Sequence, residues 1–114
     1  MDIFRYEVGK AAAEGFPVGG NRIVEFVVLA GSTALNRSKG ADRKGKLPLR
    51  RDRLLNDGIL APHARDTDLY VFVRDHRFTS PTAAGDIVNG ASLSGRAPWL
   101  HKVTGQSLKD WLVP

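Results

Sequence analysis

The clearest hydrophobic pattern lies between residues 78 and 99 and predicts a short amphipathic helix. Ser80 is a favoured N-cap, Pro81 suits a first helical turn, and Gly90 suits the left-handed residue that ends a helix. Four apolar residues between them fall at positions i, i+3, i+4 and i+7: Ala84, Ile87, Val88 and Ala91. We expect this apolar face to pack into the core.

Three further stretches are rich in β-branched and aromatic residues and predict strands at 3–8, 23–30 and 69–73. The second stretch is apolar almost throughout and is bounded by turn residues. We therefore expect it to be a central strand that is buried on both faces. A fourth strand, residues 99–103, is predicted after the glycine and proline of residues 94–98.

Glycine and proline divide the rest of the chain. Residues 11–14 favour at most one helical turn, and residues 15–21 predict a turn-rich connection. Residues 49–56 predict a helix between Pro48 and Gly58, residues 75–76 a turn, and residues 107–112 a terminal helix. The chain therefore predicts a single α+β domain over residues 1–114, with a small, mostly antiparallel sheet and two or three short helices.

Positive charge is concentrated in residues 36–53, which we call the basic segment. It holds eight basic and two acidic residues, a net charge of +6, against nine basic and ten acidic residues elsewhere. Such a segment attracts polyanions, and nucleic acid is the usual one; a solvated loop is an equally weighted alternative. Residues 36–47 predict a mobile surface loop. In the helix that follows, Leu47, Leu54 and Leu55 share a face, and Arg50 and Arg53, with Arg51 as a further candidate, are predicted to face outward or to flank that face.

Other features of the sequence narrow the class of protein. The chain has no cysteine, which excludes disulfides and thiolate chemistry. No apolar run approaches the roughly 20 residues that span a bilayer, and the first residues lack the layout of a signal peptide. We therefore expect a cytoplasmic protein with no membrane partner.

Candidate metal-binding and nucleotide-binding residues are few. His63, Asp66 and Asp68 have the residue types of a metal site, but their spacing matches no ligand motif and a solvated loop is favoured. Phosphate-binding loops of the Gly-x-x-x-x-Gly-Lys and Gly-x-Gly-x-x-Gly kinds do not occur. We expect no metal and no cofactor.

Candidate catalytic residues are equally sparse. His76 beside Asp75 could act as an oriented base, yet neither Ser32 nor Ser80 lies in a Gly-x-Ser-x-Gly elbow. The carboxylates are scattered singly, so no pair for two-metal chemistry is evident. We therefore expect no enzyme activity.

Two kinds of residue have alternative roles in binding. Ser80 could hold a phosphate at the start of its helix, although capping is the favoured role. Trp99 and Trp111 could stack on nucleic-acid bases, although core positions are favoured for both.

Several pieces of the chain, in order, are similar to one known family. Residues 13–15 match its Ala-x-Gly, residues 26–34 its strand ending in Gly-Ser, residues 51–60 its Arg-x-x-Leu helix, and residues 105–108 its closing Gly-x-x-Leu. The most specific piece is Phe78-Thr79-Ser80-Pro81-Thr82-Ala83-Ala84, which resembles Phe-x-Ser-Pro-Ser-Ala-Ala and is followed by Gly90, Ser92, Gly95 and Trp99. On these motifs the chain resembles the domain of unknown function 4357 family. It departs from the pattern at Thr82 and in residues 96–98, which lengthen the approach to Trp99.

The resemblance implies an accessory module rather than an enzyme. Members of this family have no assigned activity and are often attached to GIY-YIG-type nucleases or to restriction and modification proteins. The family is distantly similar to the restriction-system adenine methylase-associated module, which is thought to recognise DNA.

Charge and resemblance together predict a non-catalytic DNA-binding module, accessory to nuclease or restriction-modification systems. The residues expected to contact phosphate are Lys39, Arg43, Lys44, Lys46, Arg50, Arg51 and Arg53, with Ser80 and Arg96 near the helix start. The alternative hypothesis is a protein-interaction or regulatory module that docks on a nuclease or methyltransferase. That alternative predicts a sizeable exposed apolar patch.

Overall fold

Two antiparallel sheets and three helices make up the part of the chain that the computed structural model describes, which is residues 1–20, 23–37 and 46–113. In chain order the elements are β1 Phe4–Val8, β2 Ala11–Gly20, β3 Ile23–Val28, β4 Thr33–Leu35, α1 Lys46–Asn56, β5 Leu60–Pro62, β6 Leu69–Phe72, β7 His76–Phe78, α2 Pro81–Asn89, β8 Leu100–His101 and α3 Leu108–Leu112. This arrangement confirms the predicted α+β class. The loop predicted at 36–47 lies largely outside the described residues.

The larger sheet has five strands in the order β7-β3-β2-β1-β8, and the smaller sheet has three in the order β4-β6-β5. Every strand pair in the described part of the chain is antiparallel. The strands β1, β2 and β3 form two consecutive hairpins that share β2. This strand pairs with β1 through residues 11–15 and with β3 through residues 15–20. Gly15 belongs to both ladders, opposite Phe4 on one side and Val28 on the other.

The prediction of a turn-rich connection at residues 15–21 is wrong for residues 15–20, which belong to the strand β2. Residue 21 lies outside the described residues. Glu14 directs its carbonyl oxygen towards β3, where it accepts a hydrogen bond from the N–H of Leu29 at 2.9 Å. Backbone polar groups alternate in direction along a strand, so those of Pro17 face the opposite edge. Among the described residues, that edge carries no strand beside Pro17, and an unpaired edge is where a strand tolerates proline.

The strand β3 is in the interior of the sheet, as predicted, but only one of its faces is in the core. Phe26 and Val28 are fully buried, whereas Glu25 and Val27 on the other face are partly exposed. The predicted turn at residues 75–76 is also wrong in part, because His76 begins β7 and pairs with Val28.

The helix α2 has the ends that the sequence predicts. Ser80 caps its start, Pro81 is its first residue, and Gly90 ends it with φ 74°. Gly90 tolerates this left-handed conformation because it has no Cβ. Ala84, Ile87 and Val88 are buried as predicted, but Ala91 lies beyond the helix and is exposed, so it is not part of the apolar face.

The core lies between α2 and the two sheets and is centred on Trp99. This side chain is completely buried, its ring stacks on that of Phe26 at a centroid distance of 4.3 Å, and its Nε1 donates to the carbonyl oxygen of Pro81 at 2.9 Å. Trp111 was also predicted to be core, but 36% of it is exposed. It lies on the short helix α3 and contacts the core through the edge of Phe4, with ring centroids 5.3 Å apart.

Candidate nucleic-acid interface

The predicted phosphate-binding residues fall into three groups in the structure. The first group, Lys39, Arg43 and Lys44, lies outside the described residues. The second group lies on α1, which begins at Lys46. The arginines of α1 are described in full, and Ser80 and Arg96 lie elsewhere.

The helix α1 presents two of its three arginines to solvent. Arg50 and Arg53 are exposed, while Leu54 is buried in the core. Arg53 also lies in the last turn of α1, where a cation complements the helix dipole. Positive charge on this helix is therefore directed outward at two positions.

Arg51 differs from its neighbours on α1. Only 13% of its side chain is exposed, and its Nε is buried without a hydrogen-bond partner. At 100° per residue, Arg51 falls between Leu54 and Leu55 on the helical wheel, so it shares the buried face. The prediction that Arg51 would face outward or flank the apolar face is therefore wrong.

Arg50 and Arg53 line a cleft of about 280 Å³ between α1, β7 and the start of α2. Arg77, on β7, is the third arginine that lines it, and we call this site the arginine cleft. The remaining described lining residues are four apolar ones beneath the arginines and two polar ones beside them: Leu54, Phe78, Ala83 and Ile87, with His76 and Thr79.

None of the described residues that line the arginine cleft is acidic. Neither Arg50 nor Arg53 has an ion pair or side-chain hydrogen bond with any residue that the structure describes. Among the described residues Arg77 has one partner, Glu25, with Nη1 and Oε1 3.6 Å apart. That separation exceeds a good hydrogen bond, so the pair leaves Arg77 only weakly neutralised. The arrangement favours an anion.

His76 supplies a neutral polar group to the arginine cleft. Burial lowers the pKa of its imidazole, and the nearby negative charge of Asp57 opposes that effect. The ring meets the edge of Phe78 at a centroid distance of 4.7 Å. Within the described part of the chain its two nitrogens make no hydrogen bond, so a neutral His76 offers one donor and one acceptor.

Ser80 acts as a helix cap, which confirms its favoured role. Its Oγ accepts a hydrogen bond from the N–H of Ala83 at 3.0 Å. Pro81 has no N–H to offer, and the N–H of Ala84 is bonded to the carbonyl oxygen of Ser80 at 3.2 Å. These contacts leave few free donors in the first turn of α2 for a phosphate.

Arg96 lies on a different side of α2 from the arginine cleft. Residues 93–98 pack against Gly85, where an added Cβ would lie 2.8 Å from Pro98. The cleft instead borders Ala83 and Ile87, which are about 160° or more from Gly85 on a helical wheel at 100° per residue. The structure therefore does not bring Arg96 together with Arg50 and Arg53.

The candidate nucleophile Ser32 has a structural role. It is only 6% exposed, and its Oγ accepts from the N–H of Glu14 at 3.0 Å and lies 3.3 Å from the carbonyl oxygen of the same residue. Asp75, suggested as a partner of His76, instead accepts from the N–H of Ala30 at 2.8 Å. No serine, histidine and aspartate are brought together by these contacts.

The histidine of the candidate metal site is also engaged in its own loop. His63 Nδ1 accepts from the backbone N–H groups of Arg65 and Asp66, both at 3.1 Å. Lys10 forms ion pairs with Asp66 at 3.4 Å and Asp68 at 2.9 Å. Across residues 1–20, 23–37 and 46–113, no cluster of three or more histidine and acidic side chains is arranged to hold a metal ion.

Arg77 is the contributor to the arginine cleft that counting charge along the sequence misses. It lies 24 residues beyond Arg53, outside the basic segment, on a strand whose first residue was predicted to be a turn. The antiparallel pairing of β7 with β3 brings it beside α1 and α2. The short alternation of residues 76–78 was the available signal for this strand.

No helix in the described ranges is both long and apolar enough to cross a membrane.

Comparisons with known proteins identify the family of the chain but no individual relative. Neither a curated protein nor a solved structure matches the chain. One family model, described as a domain of unknown function, matches residues 9–112. The chain therefore belongs to the DUF4357 family.

Proposed function

We propose that this chain is a non-catalytic DNA-binding module that is accessory to nuclease or restriction-modification systems. The observation that supports this proposal is the convergence of Arg50, Arg53 and Arg77 on one cleft, where none of the described lining residues is acidic. Arg50 and Arg53 have no ion pair with a described residue to break before they bind a phosphate, and Arg77 has only the long contact with Glu25. The basic segment leads directly into α1, so its positive charge is linked in sequence to the same helix.

Binding of labelled duplex DNA across a salt series tests the proposal. Each phosphate contact contributes about −0.9 to the slope of log affinity against log salt concentration. We expect Arg50→Gln, Arg53→Gln and Arg77→Gln each to weaken binding and to make the slope shallower by about one such step. The absence of binding at low salt would refute the proposal.

Lys109→Gln is the matched control for these substitutions. Lys109 is an exposed residue of α3, which lies beside β8 at the edge of the five-stranded sheet opposite β7. The substitution Lys109→Gln removes one positive charge far from the arginine cleft. Equal effects of Lys109→Gln and Arg53→Gln would show that only net charge matters and would contradict a role for the cleft.

A second candidate function is docking on a nuclease or methyltransferase. Exposed apolar side chains around β8 and α3 favour it, with Leu100 50%, Val103 86% and Val113 63% exposed. Such a surface suits a protein partner better than DNA. A pull-down after nuclease treatment tests this candidate, and Val103→Glu should abolish capture of the same partner that the unchanged chain retains.

A further inference from the structure

We propose that the arginine cleft binds a single nucleotide unit, with the base against the apolar residues of the cleft and the phosphate on the three arginines. For a nucleotide within a DNA strand, this inference rests on the proposed function and specifies which part of the DNA the arginine cleft binds. For a free nucleotide it stands independently. In both cases the ligand is an anion that carries a flat, largely apolar ring.

The apolar residues of the cleft are the first argument for a base. Leu54, Phe78 and Ile87 form its floor, each less than 9% exposed, and Ala83 leaves room above them because its side chain is one methyl group. Contact with the DNA backbone alone requires no concave apolar floor, since phosphate and sugar are recognised from polar surfaces. A cleft of about 280 Å³ holds one heterocyclic ring but is below the usual size of a site for a drug-sized ligand.

The arginines are the second argument, because they fix where the phosphate lies. Arg50, Arg53 and Arg77 are exposed, so their guanidinium groups border the opening while the apolar residues lie beneath. A guanidinium group can donate two parallel hydrogen bonds to one phosphate. A dianionic phosphate competes well for Arg77, whose contact with Glu25 is long at 3.6 Å.

His76 is the third argument, because it provides groups that suit the edge of a base. Its ring is partly buried beside Phe78, and in the described residues neither ring nitrogen has a hydrogen-bond partner. A neutral imidazole offers one donor and one acceptor, and bases present the same two kinds of group on their edges. Polar groups of this kind, placed beside an apolar floor, are typical of pockets that read a base.

The geometry also distinguishes between forms of DNA. A base that is stacked and paired in a duplex cannot enter a cleft between two helices, whereas an unpaired base can. A duplex can still contact the arginines through its phosphates. We therefore expect single-stranded oligonucleotides to bind at least tenfold more tightly than duplexes of equal length at the same salt concentration.

Nuclear magnetic resonance titration of the unchanged protein tests the inference without any substitution. The probes are thymidine 5′-monophosphate, thymidine and inorganic phosphate. We expect the monophosphate to shift the amide signals of residues 50–54, 76–80 and 82–83 and to bind at least tenfold more tightly than either thymidine or inorganic phosphate. Equal affinity for inorganic phosphate would mean that the apolar floor is unused, and shifts elsewhere would place the site elsewhere; either result would overturn the inference.

Ala83→Leu provides the complementary test, because it fills the cleft and leaves every charge in place. We expect it to weaken binding of the monophosphate and of single strands at least tenfold, while the salt slope for duplex DNA stays unchanged. Ala91→Leu is the matched control, since Ala91 is exposed beyond the end of α2. Thermal unfolding checks that both variants are folded. If Ala83→Leu does not fold, Arg77→Gln, at an exposed residue, replaces it and should weaken binding of the monophosphate.

The outcomes separate this inference from the proposed function. Duplex and single strands that bind equally well, with no effect of Ala83→Leu, would overturn the inference and leave the proposed function intact. Binding of the free monophosphate without binding of any oligonucleotide would support the inference and refute the proposed function. Tighter binding of single strands that Ala83→Leu removes would support both.

Discussion

The hydroxyl group of Ser32 bonds to both backbone polar groups of Glu14, accepting from its N–H at 3.0 Å and donating to its carbonyl oxygen at 3.3 Å. The hydroxyl of Thr33 does the same for Ala12, at 2.9 Å and 3.2 Å. Two consecutive side chains thus replace a neighbouring strand along the first half of β2. The Gly-Ser piece at the end of β3 has this structural purpose in a DUF4357 protein, and no catalytic one is needed to explain it.

Replacement of Ser32 by alanine should destabilise the protein. The change leaves the partly buried N–H of Glu14 without its partner, while the carbonyl oxygen keeps its hydrogen bond from Leu29, and we expect a cost of about 1–3 kcal/mol. Chemical denaturation measures the change in the free energy of unfolding. Ser92→Ala, at an exposed position, is the control and should change stability by less than about 0.5 kcal/mol. Equal effects of the two substitutions would contradict the assigned role of Ser32.

The two tryptophans should respond differently to replacement by phenylalanine. Trp99→Phe removes buried volume and the hydrogen bond from Nε1 to the carbonyl oxygen of Pro81, so we expect a loss of about 2–4 kcal/mol. Trp111→Phe keeps most of the contact with Phe4 and should cost less than about 1 kcal/mol. Thermal or chemical unfolding of each variant measures these values. A larger loss at Trp111 would show that the core is not centred on Trp99.

Gly85→Ala should destabilise the protein although alanine is the better helix former. Helix propensity alone predicts a gain of about 1 kcal/mol. The added Cβ, however, would lie 2.8 Å from Cδ of Pro98 and 2.9 Å from Cδ1 of Leu93. The proline ring is rigid, so overpacking at a cost of about 1–3 kcal/mol should outweigh the gain.

A double-mutant cycle with Pro98→Ala tests this cause for Gly85→Ala. The second substitution removes the ring that the new methyl group meets, so the destabilisation should largely disappear in the Pro98→Ala background. An unchanged cost in that background would mean that the clash with Pro98 is not responsible.

The carboxylate of Glu14 should make the protein less stable in acid. Its pKa is lowered chiefly by the hydrogen bond from Lys102, with Nζ and Oε2 2.9 Å apart, and burial opposes this shift. The native state therefore binds fewer protons than the unfolded chain near the ordinary pKa of glutamate, so stability rises with pH in that range. The contribution is present above the ordinary value and is lost as the pH falls through the lowered one.

Glu14→Gln should flatten the acid side of the stability profile. The free energy of unfolding, measured at several values between about pH 3 and pH 7, should fall less steeply in the variant than in the unchanged protein. Glu7→Gln is the control, because Glu7 is exposed and lies on the neighbouring strand. An unchanged slope in Glu14→Gln would contradict a lowered pKa for this residue.

The helices were predictable from the sequence because their signals are local. Ser80, Pro81 and Gly90 mark the ends of α2 by their own backbone preferences, and neighbouring residues do not alter them. The strand β2 was not predictable in this way. Pro17 and the glycines near it favour turns, and only the position of β2, with one open edge, makes them acceptable in a strand.

The candidate site was predictable only where it lies on one helix. Arg50 and Arg53 are close in sequence, so their shared exposure follows from the period of α1. Arg77 joins them through the pairing of β7 with β3, which no local pattern specifies. Arg51 shows the opposite error, since it was expected outside or beside the apolar face, whereas its position between Leu54 and Leu55 places its long aliphatic stem on the buried face.

The brevity of the outermost strands affects how this protein meets other copies of itself. The strands β7 and β8, at the two ends of the five-stranded sheet, have three and two residues. Strands this short present few backbone groups to a strand of another molecule, so they are poor templates for edge-to-edge aggregation. The longer open edge of β2 carries Pro17, which has no N–H to donate. The sheet is thus protected against fibril-like growth by the lengths of its strands and by one proline.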